Sequence, residues 1–287
     1  MLEASFENEL GRVRLSGEGS RFRILQMEGL GSPGKEFNVA GYAGQPGQVL
    51  ISEKDLARVI TVSGDLIAHE GLRDEMARMF RIFYRPGRLT VGAGNKMRSV
   101  SCRCTAIEEP ERHGRSIAKL VVQFTCDNPY FTDEYAQKVN LFSREDLITS
   151  TFTLPCVFTR RTNRLLVVNA GDVRAEPVFT IYNDNRAAAA ATADTEAGVA
   201  MINHTTGQQL VLERAAAAGE VVTIDIPNRQ IVSSLDGDVT SVISQDTYLS
   251  DFWLDVGVND VEAVSYATGE RIGVVMTYYN QYVEAIL

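Results

Sequence analysis

Between residues 116 and 126 every second side chain, from Ala118 to Cys126, is apolar. Ala118, Leu120, Val122, Phe124 and Cys126 fall on one face, and Lys119, Gln123 and Thr125 fall on the other. A two-residue period is the mark of a half-buried strand. Asp127-Asn128-Pro129 ends it, because Pro129 has no N–H to donate and pushes Asn128 towards an extended or turn conformation. The same pattern predicts strands at residues 11–15, 21–27, 57–62, 88–91 and 96–107, with residues 36–40 extended. One segment breaks the rule. Over residues 66–84, Leu72, Met76, Phe80 and Phe83 are spaced four, four and three apart, which lines one face of a helix. Arg73, Asp74, Arg78 and Arg81 point away from that face, and Arg85-Pro86-Gly87 stops the helix.

Beyond the Pro129 stop the pattern starts afresh. Residues 132–151 are polar and read as a linker, within which Ser143 and Asp146 loosely fit the capping box of a short helix. The rest is almost all short strands. They are expected at 152–158, 165–169, 177–182, 199–203, 209–213, 222–226, 231–232, 252–254, 260–266, 274–278 and 282–286. Turns at Thr205-Thr206-Gly207, Asn228-Arg229 and Asp236-Gly237-Asp238 separate several of them. The alanine run 187–191 is either a short helix or a surface loop. Many short strands between Gly, Asn and Asp turns argue for a β-sandwich. The expected organisation is a β-rich domain over 1–131, a linker over 132–151 and a second β domain over 152–287.

Length and charge sharpen this division. A chain of 287 residues suggests two cores. Residues 1–140 carry 19 Lys+Arg against 18 Asp+Glu, while residues 141–287 carry 9 against 19. The first half is rich in arginine, a residue favoured at protein interfaces. The acidic second half should stay soluble and avoid nucleic acid. No stretch approaches the roughly 20 apolar residues of a membrane-spanning helix. The first residues lack the basic and apolar regions of an export signal, which makes synthesis in a cytoplasm the expectation.

The sequence offers little chemistry. Cys102, Cys104, Cys126 and Cys156 show no metal or disulfide spacing, and Cys102 and Cys104 share a strand face with Val100 and Ala106. Residues 29–34 spell GxGxxG, but Pro33 lies inside and an extended segment follows, so a loop is expected rather than a dinucleotide site. His69, His113 and His204 are scattered. No cofactor is expected and no catalytic or metal site is motivated. Trp253, the only tryptophan, is either a core residue or a platform on which a sugar ring stacks.

The order of these pieces resembles the distal tail proteins of long-tailed bacteriophages. The resemblance rests on Phe124-Thr125-Cys126-Asp127-Asn128-Pro129-Tyr130-Phe131 closing the first domain. Four phrases of the second half also carry it: Asn169-Ala170-Gly171 before residues 177–181, residues 202–207, residues 219–225 with Asn228-Arg229, and Phe252-Trp253-Leu254 with Gly257-Val258-Asn259. It implies a mainly β protein with a ring-forming N-terminal domain holding one helix and a C-terminal galectin-like β-sandwich. It implies a structural virion component, no enzyme, made in the host cytoplasm. Six copies would form a ring at the distal end of the tail tube, joining tube protein to tail-tip or baseplate hub proteins and leaving a channel for DNA. Arg73, Arg78 and Arg81 are then candidates for cross-subunit pairs, a solvated face being the alternative. A sugar- or receptor-binding role for the second domain is the rival reading. A ring that passes DNA should not hold it, so a neutral or acidic lumen and no stable nucleic-acid binding are expected.

Overall fold

The structure is a computed structural model. It describes residues 2–44, 46–68, 70–94, 96–108, 110–146, 159–183, 198–214, 216–265 and 272–285. The expected strands at 152–158, the alanine run 187–191, His69 and Cys156 lie outside the described residues.

The chain divides into two compact units, residues 1–134 with 281–287 and residues 135–280. In the first, β1 (Leu2–Asn8) and β2 (Gly11–Arg14) form a tight hairpin. Next come β3 (Phe22–Glu28), a second hairpin of β4 (Lys35–Ala40) and β5 (Val49–Asp55), and β6 (Arg58–Ile67). The helix α1 (Leu72–Phe83) leads to β7 (Gly87–Ala93), β8 (Lys96–Ile107), β9 (Glu111–His113), β10 (Ile117–Cys126) and β11 (Phe131–Asp133). The main sheet runs β2-β1-β7-β8-β10-β6-β3 and is antiparallel throughout; β4 and β5 pair only with each other. Phe6 on β1 stacks on Phe124 of β10 at 5.2 Å, and Phe83 of the helix meets both rings edge-on. β1 and β10 are not neighbours in the sheet, so the sheet must curl around these rings. The alternating face of β10 is fully inside, as its period requires.

The helix begins later than its pattern suggested. Residues 66 and 67 finish β6, because Leu66 is a core residue of that strand and pairs with Ala118. Gly71, at φ 69°, then turns the chain in the left-handed region that glycine tolerates. The buried face is Leu72, Met76, Met79, Ile82 and Phe83, while Phe80 is only half-buried. Ala106 also departs from expectation. Gln123 faces Ala106 but Phe124 faces Cys104, so Thr105 is bulged and Ala106 turns outward.

The second unit holds β12 (Gln137–Asp146), β13 (Thr159–Thr162), β14 (Arg164–Asn169), β15 (Val178–Asn183), β16 (Val199–Asn203) and β17 (Gln208–Leu212). It continues with β18 (Val221–Asp225), β19 (Gln230–Ser233), β20 (Gly237–Asp238), β21 (Gly257–Ser265) and β22 (Ile272–Tyr278). Its two sheets run β13-β12-β22-β15-β18-β19-β20 and β14-β21-β16-β17. Phe179, Ile181, Ile224 and Met276 of the larger sheet pack with Met201, Leu210 and Val261 of the smaller in one core, which makes the unit a β-sandwich. Within the stretch expected as a linker, Thr132 and Asp133 belong to β11 and 137–146 are β12, paired with β22. The helix suggested at Ser143 is therefore strand. A cap signature is local and weak, and sheet pairing overrides it. Residues 252–254 form no strand; Leu254 makes a single bridge with Ala175.

The last strand, β23 (Gln281–Tyr282), does not extend the sandwich. It pairs with β11 and returns the C-terminus to the first unit.

Candidate assembly surfaces

The residues that hold the first unit together sit around Arg58. It is 3% exposed, at the start of β6. Its guanidinium donates to the carbonyls of Pro129 (2.5 Å), Gly29 (2.7 Å) and Val283 (2.6 Å), and also to Gly31. It lies over the Phe131 ring at 4.6 Å. Burial lowers its pKa from the ordinary arginine value. The GxGxxG segment is a loop between β3 and β4, and Gly29 and Gly31 of it serve this knot. A Cβ on Gly29 would fall 2.1 Å from the Val59 carbonyl oxygen. Arg98 makes a second clasp: it donates to the Glu284 carbonyl at 2.8 Å and stacks on Tyr282 at 3.6 Å. Two arginines thus fasten the C-terminal segment onto the first unit.

Two surfaces of this unit could meet partners. The first is the outward face of α1, where Arg73, Arg78 and Arg81 are all exposed. Arg78 is engaged by Glu75 at 2.7 Å, one turn earlier on the helix. The second is the β4–β5 hairpin, which sequence reasoning passed over. Phe37, Val39, Val49, Leu50 and Ile51 are all exposed, Phe37 at 54% and Ile51 at 62%. Val49-Leu50-Ile51 is a continuous apolar run, the pattern of a strand covered on both faces. Here neither face is covered by the other described residues. Single exposed apolar residues are ordinary, but a contiguous set marks an interaction surface.

Trp253 is half-buried in the second unit, flanked by the buried Phe252 and Leu254. Its indole N–H donates to Asp255 at 2.9 Å, and the Arg174 guanidinium sits over the ring at 4.8 Å. Arg174 thus occupies one of the two faces that a sugar would stack on. His204 pairs with Glu262 at 2.7 Å, beside an Arg164–Asp260 pair whose hydrogen bond pulls the Asp260 pKa below its usual range. Among the described residues no three His, Cys, Asp or Glu side chains are placed to hold a metal ion.

The thiols of the first unit differ. Cys102 and Cys126 are buried and Cys104 is half-buried. A hydrogen bond to Cys126, together with burial, pushes the Cys102 thiol far above the ordinary range.

Comparison with solved structures places this architecture. The chain superposes on the SPP1 Dit protein, described as a paradigm of hub adsorption apparatus in phages infecting Gram-positive bacteria, with a TM-score of 0.67 and 13% identity. The match covers 98% of this chain and 99% of that one. This chain has the fold of that hub protein. It is also similar to chains of the phage P2 baseplate in its activated conformation, with Ca and with Sr. There the TM-scores are 0.52 and 0.51, at 10% identity over 96% of this chain and 98% of those. No family model and no curated protein matches the sequence. The likeness therefore resides in topology, spanning both units, rather than in conserved side chains.

Proposed function

We propose that the protein is a structural component of a bacteriophage tail, acting as a hub in the virion and not as an enzyme. Six copies form a ring at the distal end of the tail tube, which joins the tube protein to tail-tip or baseplate proteins and leaves a channel for DNA. The observation that carries this reading is the end-to-end fold likeness to a phage hub protein, spanning both units in one chain order. A second observation supports self-association. The first unit presents an apolar hairpin that the other described residues leave uncovered, and a second copy would bury it. In a ring, one subunit's patch meets a different patch on the next, and the rotation closes. Residues 1–131, completed by the C-terminal segment, build the ring, with Arg73 and Arg81 at its subunit contacts. The second unit, residues 135–280, decorates the outside. The rival sugar-binding reading has only Trp253 behind it, and Arg174 already covers one face of that ring.

Native mass spectrometry and electron microscopy of the purified protein test this. A six-fold ring is expected. Replacing Phe37, Leu50 and Ile51 by serine should leave the fold intact and shift the population to monomers. Wild-type protein that stays monomeric at high micromolar concentration would overturn the ring.

A further inference from the structure

The main sheet of the first unit does not close. Its path starts at β2 and ends at β3, and α1 packs against β1, β2 and β6. In the seam lies a cleft of about 470 Å³, within the range of sites that take a ligand or a few residues. Arg12, Arg14, Arg21 and Arg78 line it, together with Glu75 and, at its floor, Met79. One carboxylate, Glu75, lies among these four arginines and pairs with two of them. Glu75 takes Arg78 at 2.7 Å and Arg21 at 3.4 Å. Among the described residues Arg12 and Arg14 have only neutral acceptors, the Ser5 hydroxyl and the Glu18 carbonyl, each at 3.0 Å. Glu3 and Glu18 border an adjoining hollow with the same two arginines, and no ion pair joins them among the described residues.

The backbone of β2 is open on the same side. Asn8 and Gly11 are the hairpin's closing pair, so by alternation Arg12 and Arg14 point their N–H and carbonyl groups away from β1. Side chains confirm the direction: Ser20 donates to the Arg14 carbonyl at 2.8 Å, and Arg78 reaches the Arg12 carbonyl at 3.5 Å. The Arg78 contact is at the limit of a hydrogen bond, and the Ser20 hydroxyl can rotate to leave the Arg14 carbonyl to an incoming N–H.

We propose that this seam is a docking groove for an extended acidic segment of another protein, which adds a strand to β2 and sets its carboxylates against Arg12, Arg14, Arg21 and Arg78. Arg12 and Arg14 are two residues apart, about 7 Å along a strand. Carboxylates at alternate positions of an added strand match that spacing, and each guanidinium can take one in two parallel hydrogen bonds. The open edge favours a peptide over a nucleic acid. It alternates donors with acceptors, as another strand does, whereas a phosphate backbone offers acceptors alone. The groove is complete within one chain, so the assignment holds for a monomer and does not depend on the ring.

Fluorescence anisotropy with the full-length protein tests it. The probe is a labelled heptapeptide with glutamates at alternate positions between valines and threonines. Saturable binding that weakens as salt rises is expected. Arg12→Gln with Arg14→Gln should weaken it by roughly tenfold or more, as should Arg21→Gln alone to a smaller degree. Arg103→Gln, on β8 and outside the cleft, should change nothing. Circular dichroism and an unchanged unfolding midpoint show that the variants are folded. Equal binding of the glutamine version, or of a peptide with its glutamates consecutive, would overturn the proposal. So would tighter binding of a single-stranded DNA oligomer of equal charge. Peptide-driven dissociation of the protein's own oligomer would make a second copy the occupant and overturn it as well.

Discussion

Arg58 shows how much one side chain can organise. A buried guanidinium is costly unless its donors are met, and here four carbonyls from three separate segments meet them. Arg58→Met keeps the volume and leaves those carbonyls unpaired in the interior. Each orphaned acceptor costs about 1–3 kcal/mol, so a loss of roughly 3 kcal/mol or more is expected in urea unfolding of the first unit. A loss below 1 kcal/mol would show that water replaces the donors and that the knot is not structural. The cysteines make a second test at this scale. Reaction with a thiol reagent needs the thiolate and access to it. Of these three thiols in native protein, Cys104 should be labelled first, with Cys102 and Cys126 protected until unfolding, as peptide mapping would read. Rapid labelling of Cys126 would contradict the packing. From sequence all three looked alike, since the bulge at Thr105 that separates them is a property of the pairing.

At the scale of elements, the C-terminal segment decides most. Gln281–Tyr282 pairs with β11, Ala285 N–H donates to the Leu30 carbonyl at 2.8 Å, and Arg58 and Arg98 hold Val283 and Glu284. Deleting residues 281–287 should destabilise the first unit selectively. Hydrogen exchange should quicken in β8 and β10 while β15, β18 and β22 keep their protection. It follows that a fragment of residues 1–135 lacks part of its own fold, and that supplying residues 281–287 as a peptide should slow its exchange again. Uniform exchange changes across both units would reject this. The helix makes the complementary point. Its existence and its Arg85-Pro86-Gly87 stop are local, so they could be read from spacing. Its start could not, because β6 claims Leu66 and Ile67 through pairing with β10.

For the whole molecule, charge and topology set the expectations. The net charge of −9 is concentrated in the second half, and a conduit for DNA works best without a basic wall. Each phosphate neutralised by a basic side chain adds salt-dependent affinity. The intact protein should therefore show no appreciable binding of duplex DNA at about 0.15 M salt, as a gel-shift titration reports. Tight duplex binding would contradict the conduit reading. The arginines of the seam do not reverse this expectation, since they flank a narrow strand edge rather than a broad face.

By itself the sequence determined the local matters. Alternation placed Ala118, Leu120, Val122, Phe124 and Cys126 on one buried face, four-and-three spacing made the helix, and Pro129 ended the strand before it. These follow from backbone geometry and need no knowledge of neighbours. Tertiary structure alone decided which apolar residues find no cover, as in the β4–β5 hairpin. It decided that β12 belongs to a sheet rather than a linker, that the last strand returns to the first unit, and that the sheet ends leave an arginine-lined seam. Each of these is a pairing between residues far apart in the chain. Strand pairing and burial are set by the partner rather than by the segment, so no window on the sequence contains them.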